Sequence, residues 1–214
     1  MNNKIKIKVC GMRDVDNIRQ LLQLPIDYIG FIFYPKSPRF VQDQAPSINA
    51  ADIKKVGVFV NSTFSEIMDK VHTHQVDAVQ LHGDETPQLC ESLKNQKLEI
   101  IKAFGIDSTF DWLTLESYLE HIDYFLFDTK STQYGGTGKA FSWSALTEYP
   151  YNKPYFLSGG LGPDNLQDAF SINDNRLYAV DLNSRFERQP GIKNIETLTQ
   201  ALSIIRNEQI PSKQ

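Results

Sequence analysis

Short apolar runs recur along the chain and alternate with segments that have helical spacing. The eight runs are Ile5 to Val9, Tyr28 to Phe33, Val56 to Val60, Ala78 to Leu81, Ile100 to Phe104, Tyr124 to Phe127, Tyr155 to Leu157 and Leu177 to Leu182. The segments between them, such as the one from Ile195 to Ile205, repeat apolar residues every three or four positions, as an amphipathic helix does. This alternation predicts parallel strands joined by crossover helices.

The eight strand-and-helix units predict a single α/β domain, a (β/α)8 TIM barrel over residues 1–214, with a short polar tail from about residue 207. A chain of 214 residues can bury one core but is short for two ordinary domains, and no linker or low-complexity stretch divides it. An open doubly wound sheet is the structural alternative. Eight regular units in so short a chain favour the barrel, because closure leaves no strand edge unpaired.

The charge balance gives no support for binding to nucleic acid or a membrane, so a ligand must be attracted by local charges. Lys and Arg number 22 against 26 Asp and Glu, so the net charge of -4 gives no general attraction to polyanions. No apolar run approaches the roughly 18 residues of a membrane span, and the first residues enter a strand pattern without a secretory signal. We therefore expect a cytoplasmic protein in which Cys10 and Cys90 are free thiols. The sequence makes no prediction of the oligomeric state.

In a (β/α)8 barrel, active-site residues lie where the strands end and the following loops begin. At these positions the chain carries polar residues and glycines, whereas the strand bodies are Val, Ile, Leu and Phe. The strand ends carry Cys10, Tyr34 with the loop to Arg39, Asn61, His82 with Gly83, Phe104 with Gly105, Asp128, Gly159 with Gly160, and Asn183 with Ser184. We expect the active site among these residues.

A phosphate site is predicted between the seventh and eighth strands. Gly159 and Gly160 follow the seventh run, and Pro163 lies at an expected helix start. Glycine lets backbone N–H groups approach an anion, and a helix start adds the positive end of its dipole. Ser184 and Arg185 follow the eighth run and supply the second half of the site. An isolated Gly-Gly more often marks a tight turn, but this location favours phosphate.

Another glycine-rich stretch, YGGTGKAF at 134–141, matches neither a P-loop nor a dinucleotide fingerprint. Gln133 stands where a P-loop needs glycine, and Ala140 stands where it needs Ser or Thr. No nucleotide cofactor is therefore predicted. We expect this loop after the sixth strand to close over a ligand and exclude water.

Asp128 and Cys10 are the candidate catalytic residues. Asp128 ends the run YFLFDT at a partly dry barrel mouth, where a carboxyl group should resist ionisation and keep a proton to donate, although a capping role fits equally well. Cys10 shares its strand face with Lys8 and Lys6, so a nearby cation should favour its thiolate. A lone strand-end cysteine is more often packing. An acid and a base that face each other across the barrel would form a recognisable pair.

Two other strand-end residues are candidates for substrate contact. Arg39 lies in the proline-stiffened loop YPKSPRF, where its planar fork of donors could pair with a substrate carboxylate or remain solvated. His82 is expected to line or orient the site, with ordinary polar packing as the alternative. The two cysteines and four histidines lack metal-ligand spacing, so no metal is predicted.

Taken together, several segments closely resemble the phosphoribosylanthranilate isomerase family of tryptophan biosynthesis. They are IKVCGMR, GFIFYPKSPRFV, VGVFVN, VQLHGDE, FLFDT, YGGTGKAFSW, LSGGL and VDLNSRFE followed by PGIKN. The resemblance runs from the first strand to the last helix. It implies a (β/α)8 barrel and an Amadori rearrangement that turns a phosphorylated ribosylamine of anthranilate into the corresponding 1-deoxyribulose, with no metal or organic cofactor.

The resemblance also implies roles for individual residues. Asp128 would protonate the ribose ring oxygen so that the ring opens to an iminium, and Cys10 would then remove the proton from C2. Arg39 would face the anthranilate carboxylate. The phosphate site would comprise Gly159, Gly160, Ser184 and Arg185. Many family members have Ser-Gly after the eighth strand, so the side chain of Arg185 must either point away from the phosphate or add a cationic contact.

Other functions remain open. An aldolase on the same scaffold would form a Schiff base on Lys102, but would leave Cys10 and Asp128 without roles. A histidine-pathway sugar isomerase usually pairs two aspartates, whereas position 10 is cysteine. A binding barrel could sense a sugar phosphate without turning it over, but it would need neither the thiol nor the carboxylate. The sequence therefore favours catalysis by an acid and a base.

Overall fold

The computed structural model describes residues 4–42, 52–129 and 143–208. Within them, eight strands form a closed barrel in chain order. The strands are β1 Lys6–Val9, β2 Tyr28–Ile32, β3 Lys54–Phe59, β4 Ala78–Leu81, β5 Glu99–Ile106, β6 Tyr124–Thr129, β7 Tyr155–Leu157 and β8 Leu177–Leu182. Neighbouring strands pair in parallel, and β1 pairs with β8 to close the ring. The predicted (β/α)8 barrel is confirmed, and each apolar run forms one strand.

The helices lie between the strands. They are α1 Val15–Leu21, α2 Phe64–His74, α3 Pro87–Lys94, α4 Leu166–Phe170 and α5 Ile195–Glu208. After β5 and β6 the described connections carry 3-10 helices instead, at Trp112–Tyr118 and Trp143–Glu148. Both are rich in Trp, Ser and Thr, which form α-helices less readily than the straight-chain residues do. Helix α5 reaches Glu208, so it includes the first residues of the predicted polar tail, and the remainder lies outside the described residues.

Side-chain caps account for where two of these helices begin. Thr63 and Glu66 form a reciprocal capping box before α2, and Thr86 caps α3 immediately before Pro87. The helix start expected at Pro163 is wrong, because a turn precedes α4 there. Asn165 holds that turn by accepting from the Gly162 N–H at 2.8 Å and donating to the Gly160 carbonyl at 2.9 Å.

Strand side chains alternate between the barrel interior and the layer beneath the helices. The interior holds Cys10, Tyr28, Val56, Val58, Ala78, Ile101, Ala103, Leu126, Phe156 and Ala179. Outward residues such as Ile7, Val9, Phe125 and Phe127 join the larger core, which also contains the helix residues Ile67, Cys90 and Leu198. Cys10 therefore points into the barrel. No helix within the described ranges is long and apolar enough to cross a bilayer.

Lys102 faces away from the barrel interior, because its neighbours on β5, Ile101 and Ala103, face into it. Its ammonium lies 3.1 Å from the Glu85 carboxylate and 2.7 Å from the Gly83 carbonyl, and its side chain is 2 % exposed. Glu85 in turn accepts from backbone N–H groups of the loops after β3 and β4. The ion pair joins these loops. Because the Lys102 amine is not in the barrel interior, it is not placed to form the Schiff base that the aldolase alternative needs.

Replacing Lys102 by methionine is expected to lower the free energy of unfolding by about 3–5 kcal/mol, since the Glu85 carboxylate would remain buried without its partner. Urea unfolding followed by circular dichroism measures the change. The exposed pair Arg19–Asp16 offers a matched control, and Arg19→Met should change stability little. The double variant Lys102→Met/Glu85→Gln should recover much of the loss. An equal loss in the single and double variants would contradict this account.

Candidate active site

A pocket opens where the barrel strands end, as the fold predicts. Its lining includes Cys10, Tyr34, Gln80, His82, Asp128, Ser158, Gly159, Gly160, Asp181, Asn183 and Ser184. The pocket thus brings together six of the eight residues to which the sequence assigns a catalytic or substrate-binding role, namely Cys10, His82, Asp128, Gly159, Gly160 and Ser184. The other two, Arg39 and Arg185, lie beside it and do not line it. The stretch at 134–141 falls outside the described residues.

Cys10 sits at the end of β1 and is 3 % exposed. Its N–H donates to the Leu182 carbonyl at 3.0 Å, which fixes the residue against β8. Gly30 on β2 leaves space for the thiol, because a Cβ there would lie 2.7 Å from the Cys10 sulfur. Gly11 follows with φ +77°, a conformation that glycine adopts without strain, and ends the strand. The backbone therefore places the thiol in the pocket wall.

Lys8 lies below Cys10 on the same strand face and forms a buried ion pair with Asp181, at 2.7 Å. Burial raises the pKa of the Cys10 thiol, Asp181 raises it further, and Lys8 and Lys193 lower it; the net direction is upward. Lys8 acts on the Cys10 pKa in the expected direction, because its charge lowers that pKa. Because the Lys8 charge is already matched by Asp181, it does not overcome the cost of burying a thiolate.

Asp128 is the penultimate residue of β6 and lies beside His82, which follows β4. The His82 ring nitrogen Nε2 is 3.5 Å from Asp128 Oδ2, and the two side chains are 22 % and 14 % exposed. The other ring nitrogen, Nδ1, is 2.9 Å from Nε2 of Gln80. Gln80 is not among the residues predicted for the site, although the period of two along β4 puts it on the same face as His82.

The loop after β7 contains two consecutive glycines with positive φ, Gly159 at +83° and Gly160 at +67°. This backbone path is strained for other residues and turns the loop along the pocket. The predicted contribution of a helix dipole at Pro163 is wrong, since α4 begins only at Leu166 and is five residues long. Any anion in this part of the pocket would therefore be held by the loop itself and by Ser184.

Arg185 braces this loop from outside the pocket. It donates from Nη1 to the Gly160 carbonyl at 2.9 Å and from Nη2 to Asp164 at 2.6 Å. Its guanidinium lies against Gly162, where a Cβ would come within 2.5 Å of Cζ. Of the two orientations that the sequence leaves open, the side chain takes the one directed away from the pocket.

Arg39 belongs to a buried cluster of charges beside Cys10, which we call the rim cluster and which comprises Arg39, Glu187 and Lys193. Arg39 donates from Nε and Nη2 to the Glu187 carboxylate at 2.7–3.0 Å. Lys193 donates to Glu187 at 2.6 Å and to the pocket residue Asn183 at 2.8 Å. Burial lowers the pKa of Lys193 to about 8 despite the facing carboxylate. Burial alone would raise the pKa of Glu187, but Arg39 and Lys193 bring it below its ordinary value.

Glu187 and Lys193 are not among the residues predicted for the site from the sequence. They lie in a hairpin after β8, formed by β9 Glu187–Gln189 and β10 Ile192–Lys193. The signal for this hairpin was QPG at 189–191, where Gly191 takes a φ of +85°. Within the described ranges, no group of three or more His, Cys, Asp or Glu side chains is placed to hold a metal ion. With two cations and one carboxylate, the rim cluster suits an anionic group of a ligand better than a metal.

Comparison with known proteins agrees with this geometry. Residues 7–203 match the family model described as N-(5'phosphoribosyl)anthranilate (PRA) isomerase. The N-(5'-phosphoribosyl)anthranilate isomerase of Parabacteroides distasonis is 45% identical over 197 residues, covering 90% of this chain and 89% of the relative. The corresponding protein of Phocaeicola vulgatus is 41% identical over 188 residues, which cover 88% and 91% of the two chains.

Solved structures give the same result. The phosphoribosyl anthranilate isomerase of Thermotoga maritima superposes with a TM-score of 0.83 at 33% identity, covering 95% of this chain and 99% of that one. A phosphoribosyl anthranilate isomerase in complex with reduced 1-(o-carboxyphenylamino)-1-deoxyribulose 5-phosphate superposes with a TM-score of 0.81 at 29% identity, with 95% and 99% covered. This chain belongs to the N-(5'-phosphoribosyl)anthranilate isomerase family.

Proposed function

We propose that the protein converts N-(5'-phosphoribosyl)anthranilate into 1-(2-carboxyphenylamino)-1-deoxyribulose 5-phosphate, the Amadori step of tryptophan biosynthesis. The observation that carries this proposal is that a thiol, Cys10, and a carboxyl group, Asp128, line one pocket together with the glycine loop after β7. A relative of known structure binds a reduced form of this product.

In the first step, Asp128 donates a proton to the ribose ring oxygen. The bond between C1 and that oxygen breaks, and the lone pair of the anilino nitrogen forms the C1=N bond of an iminium. Asp128 is left as a carboxylate, next to the imidazole of His82 at 3.5 Å. Proton donation to a leaving oxygen is general acid catalysis, which contributes about 10²–10⁴-fold to a rate.

In the second step, the Cys10 thiolate removes the proton from C2 of the open sugar. The C2–H electron pair forms a C1=C2 bond, and the iminium electrons return to nitrogen. The resulting enolamine becomes the ketone when the proton of its C2 hydroxyl is lost and C1 gains one. No electron enters or leaves the substrate, so the reaction needs no redox partner. The iminium charge favours a thiolate beside it while the substrate is bound.

Two parts of the site account for binding of the substrate's anionic ends. We assign the phosphate to the loop of Gly159 and Gly160 with Ser184, and Arg185 to bracing that loop through the Gly160 carbonyl. We assign the anthranilate carboxylate to the rim cluster through Arg39. The cluster carries two cations and one carboxylate, so it has an excess positive charge for a ligand anion to neutralise.

The test of this function is turnover by the purified protein. The fluorescence of the anthranilate group should change as the aminosugar rearranges, and expression should restore growth to a tryptophan auxotroph blocked at this step. Binding of the substrate without turnover would overturn the proposal and favour a sugar-phosphate sensor. We also propose a cytoplasmic location, which suits the free thiols of Cys10 and Cys90.

The raised pKa of Cys10 predicts how the rate depends on pH. If the thiolate is the base, kcat/KM should rise about tenfold per pH unit through neutrality and level off only above the ordinary thiol value of about 8.5. Lys8→Met removes a charge that lowers the Cys10 pKa, so the rising limb should move to higher pH. The pH profile of kcat/KM measures both effects.

Lys6→Met is the matched control for that experiment. Lys6 lies on the same strand face, but it pairs with Asp27 and is 42% exposed, so its loss should leave the profile in place. Because Lys8→Met leaves Asp181 buried without its partner, the double variant Lys8→Met/Asp181→Asn provides a second measurement. An unchanged profile in folded Lys8→Met, or in the double variant compared with Asp181→Asn alone, would show that Lys8 does not favour the thiolate.

A further inference from the structure

Gln80 is buried inside the barrel, where a polar amide is unusual among apolar side chains. It is 1% exposed, and its strand neighbours in register, Val58 on β3 and Ile101 on β5, are interior apolar residues. Its Nε2 lies 2.9 Å from Nδ1 of His82, while its Oε1 is buried with no hydrogen-bond partner among the described residues. A buried amide with an unsatisfied oxygen costs free energy that a leucine or methionine would avoid.

We propose that Gln80 is a positioning residue for proton donation by Asp128 and that it acts through His82. The proposal rests on the proposed function, in which Asp128 is the acid. A neutral imidazole carries one hydrogen, on either of its two nitrogens. Nε2 of an amide can only donate, so its contact with Nδ1 of His82 favours the tautomer in which Nδ1 accepts and the hydrogen is on Nε2. Nε2 is the nitrogen that faces Asp128 Oδ2, at 3.5 Å.

The choice of tautomer decides where the Asp128 proton goes. With the hydrogen on Nε2, the imidazole can only donate to Asp128, so the carboxyl proton is left for the substrate, and the carboxylate that remains is stabilised. With the hydrogen on Nδ1, the lone pair of Nε2 would accept the Asp128 proton and compete with the ring oxygen for it. Fixing a histidine tautomer through the partner of its other nitrogen is a general device in proteins.

The charged groups near Gln80, His82 and Asp128 do not take over the contact that Gln80 makes with His82. Asp181 faces the same space from β8, and its Oδ2 is held by Lys8 at 2.7 Å while its Oδ1 has no partner among the described residues. No charged side chain in the described ranges forms a hydrogen bond with Nδ1 of His82 in place of the amide.

The experiment combines imidazole NMR with steady-state kinetics. In protein labelled with 15N-histidine at alkaline pH, where imidazoles are neutral, the two His82 nitrogens report which one carries the hydrogen; His82→Asn assigns the signals. We expect the hydrogen on Nε2 in the unaltered protein. In Gln80→Glu, whose carboxylate can only accept, we expect it on Nδ1, together with a fall in kcat of about tenfold or more and little change in KM.

Gln80→Met removes the donor without adding a charge, so it should give a mixture of tautomers and an intermediate kcat. The exposed His72 is the internal reference, whose signals should not change. The unaltered protein with its hydrogen on Nδ1, or Gln80→Glu with the hydrogen still on Nε2 and an unchanged kcat, would overturn the proposal. The NMR measurement needs no turnover, so it decides what Gln80 does even if the proposed function itself fails.

Discussion

Replacing Cys10 by alanine is expected to lower kcat by a factor of about 10³ while KM changes only a few-fold. General base catalysis contributes about 10²–10⁴-fold, and no second thiol lines the described pocket. The phosphate loop and the rim cluster remain in place, so binding should persist. Stopped-flow fluorescence of the anthranilate group, read over a range of substrate concentrations, separates kcat from KM.

Cys90→Ala is the control for the loss of a thiol as such. Cys90 lies on α3 with no exposed surface, in the core beneath the helices. Its replacement should cost about 1 kcal/mol of stability through a small cavity and leave kcat unchanged. If Cys10→Ala keeps kcat within tenfold of the unaltered protein, Cys10 is not the base, and the mechanism proposed for C2 is wrong.

Replacing Asp128 by asparagine is expected to lower kcat by a factor of about 10²–10⁴, because the amide has the shape of the carboxyl group but no proton to give to the ring oxygen. In Asp128→Asn the reaction should stop before the ring opens, whereas in Cys10→Ala it should stop after the ring has opened. Rapid-quench analysis with borohydride should therefore trap a reduced open-chain amine in Cys10→Ala and not in Asp128→Asn.

Asp123→Asn is the matched control for Asp128→Asn. Asp123 precedes β6 at the opposite end of the barrel, where it accepts from the Ile100 N–H at 2.8 Å and is partly exposed. The same chemical change there should leave kcat unchanged. Trapping of equal amounts of open-chain amine in the Asp128 and Cys10 variants would mean that another group protonates the ring oxygen.

The barrel could be predicted from the sequence because its signal is local and repeated. Each strand is a short apolar run, and a strand-to-helix rhythm sustained through the chain leaves few architectures. The position of Cys10 at the end of β1 and of Asp128 in β6 follows from the same pattern. Since side chains alternate along a strand, the outward direction of Lys102 was also within reach of the sequence.

Other features depend on contacts between distant parts of the chain. Arg39 pairs with Glu187, which is 148 residues away in the sequence. Glu187 lies in a hairpin that the strand periodicity does not predict. The pKa of Cys10 is raised because the effect of burial is larger than the opposing effect of the Lys8 charge. The burial of the thiol depends on the assembled barrel. The direction of Arg185 depends on the space left by Gly162 and on Asp164. The spacing of residues along the sequence does not show how far a group is buried or which distant residue it pairs with.

The central claim is that Cys10 and Asp128, facing one pocket, are the base and the acid of the rearrangement. The most direct test is the fluorescence assay on the double variant Cys10→Ala/Asp128→Ala, with circular dichroism to confirm that it is folded. The account predicts that the substrate rearranges no faster with this variant than in buffer. A folded double variant that turns over at the rate of the unaltered protein would contradict it.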